Sequence, residues 1–210
     1  MLSSSGVTVL MPTRNRVKQF NEARQSALDT ASGEIEILAY VDDDDPARDE
    51  YEGVIIGPPM MSAHAFKHLA YLAKHDFIFW GSDDMRWVTQ DWDQKLKDKM
   101  PEHGLGVVFA DDQRGGSLPF FTKKFRDLTG LYPDKFKHFG PDHWIREVAK
   151  FAGVEILAND VKLTHRQNKS DETGARERRL DDVNAKGFLN KTEAERREMG
   201  RKIKDAICGI

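Results

Sequence analysis

Phe77-Ile78-Phe79-Trp80-Gly81-Ser82-Asp83-Asp84-Met85 decides how the chain is read. Four large apolar residues in a row predict a buried strand. Gly81 and Ser82 end it, and two adjacent carboxylates follow at its C-terminal edge. Open α/β sheets bind ligands just beyond the carboxyl ends of their strands. A buried run that delivers Asp83 and Asp84 there points to a site for a divalent cation carrying a phosphate ligand. The plainer reading is a loop with two solvated acids.

Upstream, the same arrangement recurs. Val7 to Met11 (VTVLM) predicts a first strand, ended by Pro12 and the loop Pro12-Thr13-Arg14-Asn15-Arg16. A helical pattern follows, with Val17, Phe20, Ala27 and Leu28 on one side. Ile35 to Val41 predicts a second strand that runs into Asp42-Asp43-Asp44-Asp45. Four consecutive acids cannot be buried together without partners, because their charges repel. They require solvent, cations or hydrogen-bond donors. Gly53 to Gly57 predicts a short third strand, and Ser62 is expected to cap a helix reaching about Lys74. His64 and His68 share a face of that helix at a metal-compatible spacing, but no HExxH pattern accompanies them.

Downstream, Trp92, Leu96 and Met100 recur every four residues and predict an amphipathic helix. Gly104 to Ala110 predicts another buried strand, again followed by acids, Asp111-Asp112. Leu118 to Phe121 reads as extended, and Thr122 to Leu128 as a short helix. Gly140-Pro141-Asp142 opens a helix with Trp144, Ile145, Val148 and Ala152 on its buried stripe, and the helix dipole favours the Asp142 carboxylate there. Val154 to Ala158 and Val161 to Thr164 predict two short strands, the second ending in His165. Residues 166–179 hold no apolar side chain except Ala175 and read as a mobile loop. Thr192-Glu193-Ala194-Glu195 matches a capping box before a last helix with Met199, Ile203 and Ile207 on one face. Strands alternating with helices give an α/β fold with a mostly parallel central sheet.

Composition excludes several classes. The 210 residues include one cysteine, Cys208, so neither a disulfide framework nor a Cys-rich zinc site is available. Mean hydropathy is −0.62, and no apolar run approaches the roughly 18 residues of a membrane span. Residues 1–6 lack the features of a signal peptide, so a cytoplasmic location is expected. Net charge is −3, unevenly spread: residues 162–210 carry +4 and the remainder −7. The basic tail could face a phosphate-bearing ligand, or be a solvated helical face. The GxxxxGK[ST] and GxGxxG phosphate loops are absent, as are serine- and cysteine-nucleophile patterns. Phosphate binding here therefore calls for a metal held by acids.

The order of VTVLMPTRNR (7–16), ILAYVDDDDP (37–46), FIFWGSDDM (77–85), HFGPDHW (138–144) and LTH (163–165) resembles the GT-A glycosyltransferases, in particular the family-2-like nucleotide-sugar enzymes. The resemblance covers residues 7–165. It implies a single GT-A, Rossmann-like domain over 1–165, with 166–210 as a basic loop and C-terminal helix packed on it. It also implies that Pro12, Arg14 and Arg16 line the nucleotide pocket. Asp43, with Asp42 as the alternative, would accept from a uracil N–H. The family's Asp-x-Asp motif falls on Ser82-Asp83-Asp84, with Ser82 replacing the first acid. Asp83 then contacts the ribose, and Asp84 binds Mn2+ or Mg2+ with His165 as second ligand. Asp142 matches the catalytic base of inverting members, and Arg166 and Lys169 would reach the diphosphate from a closing loop.

These implications describe a metal-dependent, inverting transferase that moves a sugar from a UDP-sugar to a hydroxyl acceptor. The acceptor is open, and the basic tail allows a nucleic acid or modified nucleotide. The rivals are a nucleotidyltransferase, which would ordinarily show a Gly-rich loop after the first strand, and a non-catalytic binding module on the same fold.

Overall fold

The computed structural model describes residues 6–113, 117–165 and 185–209. Its strands are β1 (Val7–Pro12), β2 (Ile35–Asp42), β3 (Ile55–Gly57), β4 (Phe77–Trp80), β5 (Met85–Trp87), β6 (Val107–Asp111), β7 (Pro119–Thr122) and β8 (Glu155–His165). The helices are α1 (Val17–Asp29), α2 (Ser62–Leu72), α3 (Trp92–Asp98), α4 (Lys123–Thr129), α5 (Pro141–Ala152), α6 (185–191) and α7 (Glu193–Cys208). The strands form one sheet in the order β3-β2-β1-β4-β7-β6-β8-β5. Pairs β3–β2, β2–β1, β1–β4 and β6–β8 are parallel, and those of β7 with β4 and β6, and of β5 with β8, antiparallel. The expected mostly parallel sheet is therefore present, with a reversal in its middle.

Side chains of β4 alternate between two cores, which is why the segment is apolar at every position. Ile78 and Trp80 join a core built with Leu69 of α2, Phe125 of α4, Ile145 and Val148 of α5 and Ile203 of α7. Phe77 and Phe79 join the opposite core, with Phe20 and Ala23 of α1 and Trp92 and Leu96 of α3. The parallel neighbours β1 and β4 continue together through Gly81, whose N–H donates to Leu10 O at 2.9 Å. A Cβ at Gly81 would stand 2.7 Å from Val9 Cγ1, so the chain can turn off the sheet there only without a side chain.

Several local expectations are corrected. Leu28 is 37% exposed, and the buried stripe of α1 is Phe20, Ala23 and Ala27. Ser62 is not the cap of α2: Met61 holds that position, and the Ser62 hydroxyl turns instead to His138. Thr192 caps α7 without a side-chain bond to its N–H groups; its hydroxyl donates to Phe188 O at 2.7 Å. The two short strands after α5 are one strand, β8, kinked by a register irregularity where it leaves β6. Strand β5, only three residues long, gave no sequence signal. Its three residues pair with the end of β8, Met85 opposite His165 and Trp87 opposite Leu163.

One buried acid outside the strand ends holds the frame. Asp93 is fully buried on α3 and accepts from Ser32 N at 2.8 Å, Ser32 Oγ at 3.2 Å and Gly33 N at 3.1 Å. Burial pushes its pKa up, but these donors and Lys97 outweigh that and hold it below the ordinary value. The contact pins the α1–β2 turn to α3. Helix α7 lies along α5, where buried Arg196 pairs with Glu147 at 2.6 Å.

Candidate active site

The carboxyl ends of β1, β2 and β4 open into a cleft of about 620 Å³. One wall comes from those strand ends and the loop after β1: Pro12, Thr13, Arg14, Arg16, Asp42 and Asp83. The other comes from the start of α2 and the loop before α5. All three positions expected to line a nucleotide pocket from the loop after β1, Pro12, Arg14 and Arg16, line the cleft, and so does Asp83 from the loop after β4.

Asp83 is only 3% exposed. Thr13 Oγ1 donates to one carboxylate oxygen at 2.8 Å and Arg16 Nη1 to the other at 3.0 Å. Burial lifts its pKa to about 6, against the pull of Arg16 and with a push from the Asp84 charge. Arg16 is in turn placed by its backbone N–H, which donates to the Tyr51 hydroxyl at 2.8 Å. Thr13 is a site residue that sequence reading missed. A threonine in a loop carries no chemical signal until its acid partner, 70 residues away, is known.

The four-acid run after β2 divides its labour. Asp45 is buried and serves the loop after β1: it accepts from Asn15 N at 2.7 Å, where Asn15 is left-handed (φ 52°), and from Ala47 N at 2.8 Å. Asp42 accepts from Arg14 Nη1 at 2.6 Å and from Met60 N at 2.9 Å, tying both walls together. Asp44 takes Arg14 Nη1 at 2.5 Å. The Asp44 bond above all, opposed by partial burial and aided by Asp42, raises the Arg14 pKa further. Asp43 is exposed and is not among the cleft-lining residues, and its carbonyl accepts from Arg48.

Asp84 and His165 come together next to the cleft residues Ser82 and Asp83, though neither of the two is itself among the residues that line the cleft. The β5–β8 ladder sets Met85 beside His165. Asp84 Oδ1 then lies 3.5 Å from His165 Nε2, with side chains 23% and 18% exposed. The Ser82 hydroxyl donates to the same Asp84 oxygen at 2.6 Å and orients that carboxylate. A hard carboxylate oxygen and an imidazole nitrogen, largely buried but reachable and converging, fit a divalent cation. Among the described residues no third His, Cys, Asp or Glu completes a set, so the remaining positions would fall to ligand oxygens and water. His64 and His68 do not converge: His64 Nε2 meets Asp134 O at 2.8 Å and His68 packs edge-on to Tyr40.

Asp142 occupies the first turn of α5, behind Gly140 with φ 96°. It is half-buried, three residues beyond the cleft residue Phe139, and does not itself line the cleft. Arg166 and Lys169 lie outside the described residues.

No family model matches the chain, and a sequence search of curated proteins finds no match. Solved structures do match. A mannosyltransferase from Pyrobaculum calidifontis, in complex with GDP-Man and Mn2+, superposes with TM-score 0.63 at 14% identity, over 98% of this chain and 75% of that one. Glucosyl-3-phosphoglycerate synthase from Mycobacterium tuberculosis, in complex with Mn2+, UDP-glucose and phosphoglyceric acid, gives TM-score 0.59 at 14% identity, over 84% and 77%. The chain has the GT-A fold.

Proposed function

We propose that this protein is a metal-dependent glycosyltransferase that moves a sugar from a nucleotide-sugar, a UDP-sugar in our reading, to a hydroxyl acceptor. The observation that carries this is the meeting of Asp84 and His165 at 3.5 Å, next to a buried Asp83 in a strand-end cleft. Support comes from the two structural neighbours, each solved with Mn2+ and a nucleotide-sugar.

In this reading Asp84 and His165 would hold Mn2+ or Mg2+, whose chemistry there would be to supply positive charge against the diphosphate. Asp83 accepts from the ribose, held in place by Thr13 and Arg16. The base contact goes to Asp42 rather than Asp43, because Asp42 lines the cleft. Arg14 and Arg16 offer guanidinium donors to the nucleotide. The Asp142 carboxylate takes the proton of the acceptor hydroxyl as its oxygen bonds to the anomeric carbon. The bond from that carbon to the diphosphate oxygen breaks, and a nucleoside diphosphate leaves with inversion. Helix α7 is taken as part of the same domain, since it packs on α5.

A nucleic-acid acceptor gains no support. On α7, Arg196 is spent on Glu147, Arg197 on Glu193 and Arg201 on Glu198. No helix among the described residues is long and apolar enough to cross a membrane.

The test is the product. UDP-glucose and GDP-mannose are incubated with the protein and Mn2+, with water standing in for the acceptor. Slow release of nucleoside diphosphate, abolished by chelator and by Asp84→Ala, is expected. Release of nucleoside monophosphate together with sugar 1-phosphate, from attack at phosphorus, would instead indicate nucleotidyl transfer, and no release from either donor would count against the proposal.

A further inference from the structure

Ser82 touches the Asp84–His165 pair in two ways. Its backbone carbonyl accepts from Met85 N at 3.2 Å, closing the turn that joins β4 to β5. Its hydroxyl donates to Asp84 Oδ1 at 2.6 Å across that turn. The same Oδ1 lies 3.5 Å from His165 Nε2. One hydroxyl therefore holds the carboxylate oxygen that faces the imidazole.

Both ends of the turn are anchored. Before it, Gly81 N donates to Leu10 O at 2.9 Å, so Ser82 starts from a fixed point beside β1. After it, the buried Met85 pairs with His165 across the β5–β8 ladder. Arg86 Nη1 donates to Met85 O at 2.8 Å, and Arg86 also pairs with Glu22 of α1. The Trp87 N–H donates to Ser26 Oγ of the same helix at 3.2 Å. These contacts fix the backbone. They do not fix rotation of the Asp84 side chain, which is 23% exposed.

The Ser82 hydroxyl does. An ionised carboxylate only accepts, so the hydroxyl proton lies on the Asp84 side. Each carboxylate oxygen has two lone-pair sites, so Oδ1 can accept from Ser82 and still offer a site to a cation. Hydrogen-bond partners of a metal ligand set its orientation, and losing one weakens metal binding. Resting on the functional reading above, we infer that Ser82 is a positioning residue of the cation site: its hydroxyl aims Asp84 Oδ1 toward His165 and so sets how tightly a divalent cation is held. All of the contacts that carry this run between residues of the chain, so the pair takes the ion without help from a nucleotide.

The test titrates Mn2+ into the protein with no nucleotide added and counts the free ion by electron paramagnetic resonance. The wild type is expected to bind Mn2+ at a single site and Asp84→Ala to lose it. Ser82→Ala is expected to weaken binding about ten- to hundredfold, and Ser82→Thr, which keeps the hydroxyl, to stay within about threefold of the wild type. With no nucleotide in the titration, a loss cannot come from a broken nucleotide contact. Equal affinity in the wild type and Ser82→Ala would overturn the inference, and so would equal losses in Ser82→Ala and Ser82→Thr, which would make the turn's shape the cause. Mn2+ binding that survives in Asp84→Ala but not in Asp84→Ala/Ser82→Ala would also overturn it, by making Ser82 a ligand in its own right. A wild type that takes no Mn2+ by itself would overturn it too. Failure of the functional reading is separately visible, as no binding of UDP, GDP, CDP or ADP to the wild-type protein in the presence of Mn2+.

Discussion

Two Asp-Asp pairs follow two buried strands, and they do opposite things. Asp83-Asp84 after β4 draws on distant elements as well as on Ser82 of its own loop: Thr13 and Arg16 come from the loop after β1, and His165 from the end of β8. Asp111-Asp112 after β6 is served from inside. Asp111 accepts from Gln113 N at 3.0 Å, and the fully buried Asp112 takes Ser117 N at 2.9 Å together with the Ser117 hydroxyl. The first pair draws donors from distant segments, and its Asp83 faces the cleft; in the second, Asp111 and Asp112 accept from Gln113 and Ser117, close by in sequence. In sequence they are the same dipeptide after the same kind of strand. What separates them is whether donors converge from distant segments, which is the mark of a site rather than of a loop.

The comparison breaks most readily at Asp84. Asp84→Ala is expected to lower transfer by about a thousandfold or more, since the charge on the departing diphosphate loses its counterpart. Its melting temperature should change little, because the side chain is partly exposed. Unaltered turnover in Mn2+ would erase the distinction between the pairs. Asp142→Asn is expected to reduce kcat by about a hundred- to ten-thousandfold with nucleotide affinity unchanged. A matching loss of affinity would make Asp142 a binding group instead.

Asp83 sharpens the contrast through pH. Its pKa is about 6 in the folded protein against an ordinary 3.8. Between those values the folded state holds a proton that the unfolded chain has released. This contribution to stability is present in acid and lost as pH rises through about 6. The stability of the wild type relative to Asp83→Asn is therefore expected to fall by about 2 kcal/mol from pH 4 to pH 7. Urea unfolding at both pH values reads it, and a flat difference would contradict the burial argument. On the other side, Asp112→Ala is expected to cost about 2 kcal/mol of stability, since Ser117 loses its acceptor in a buried place. Nucleotide binding by the folded fraction should be untouched; a loss of binding there would put the two pairs in one class.

Much of this was legible where a residue's job is local or its burial is two-sided. Strands β1, β4 and β6 announced themselves because the sheet is covered on both faces and needs apolar side chains at every position. The opening of α5 was legible from Gly140-Pro141-Asp142, since chain stereochemistry dictates it. Partners set by long-range register were not. Strand β5 is three residues long and exists because β8 reaches it. The separate duties of Asp42 and Asp45 depend on whether Arg14 or Asn15 lies opposite, and Asp93 looked like any surface acid of an amphipathic helix until Ser32 and Gly33 were placed against it. Ser62 reads as a cap by type, yet its hydroxyl found His138, 76 residues on. Of the five stretches that resemble GT-A enzymes, four carry a strand end and the fifth, 138–144, carries the opening of α5; each is a local signal, which is why they were readable in order.

The central claim is that Asp83, Asp84 and His165 form a metal-assisted nucleotide site. The most direct measurement is calorimetric titration of UDP, GDP, CDP and ADP into the wild-type protein, with Mn2+ and with chelator, repeated in Asp84→Ala and Asp112→Asn. The account predicts that one diphosphate binds, that chelator and Asp84→Ala each abolish the binding, and that Asp112→Asn retains it. No binding of any diphosphate, or binding indifferent to both chelator and Asp84→Ala, would contradict it.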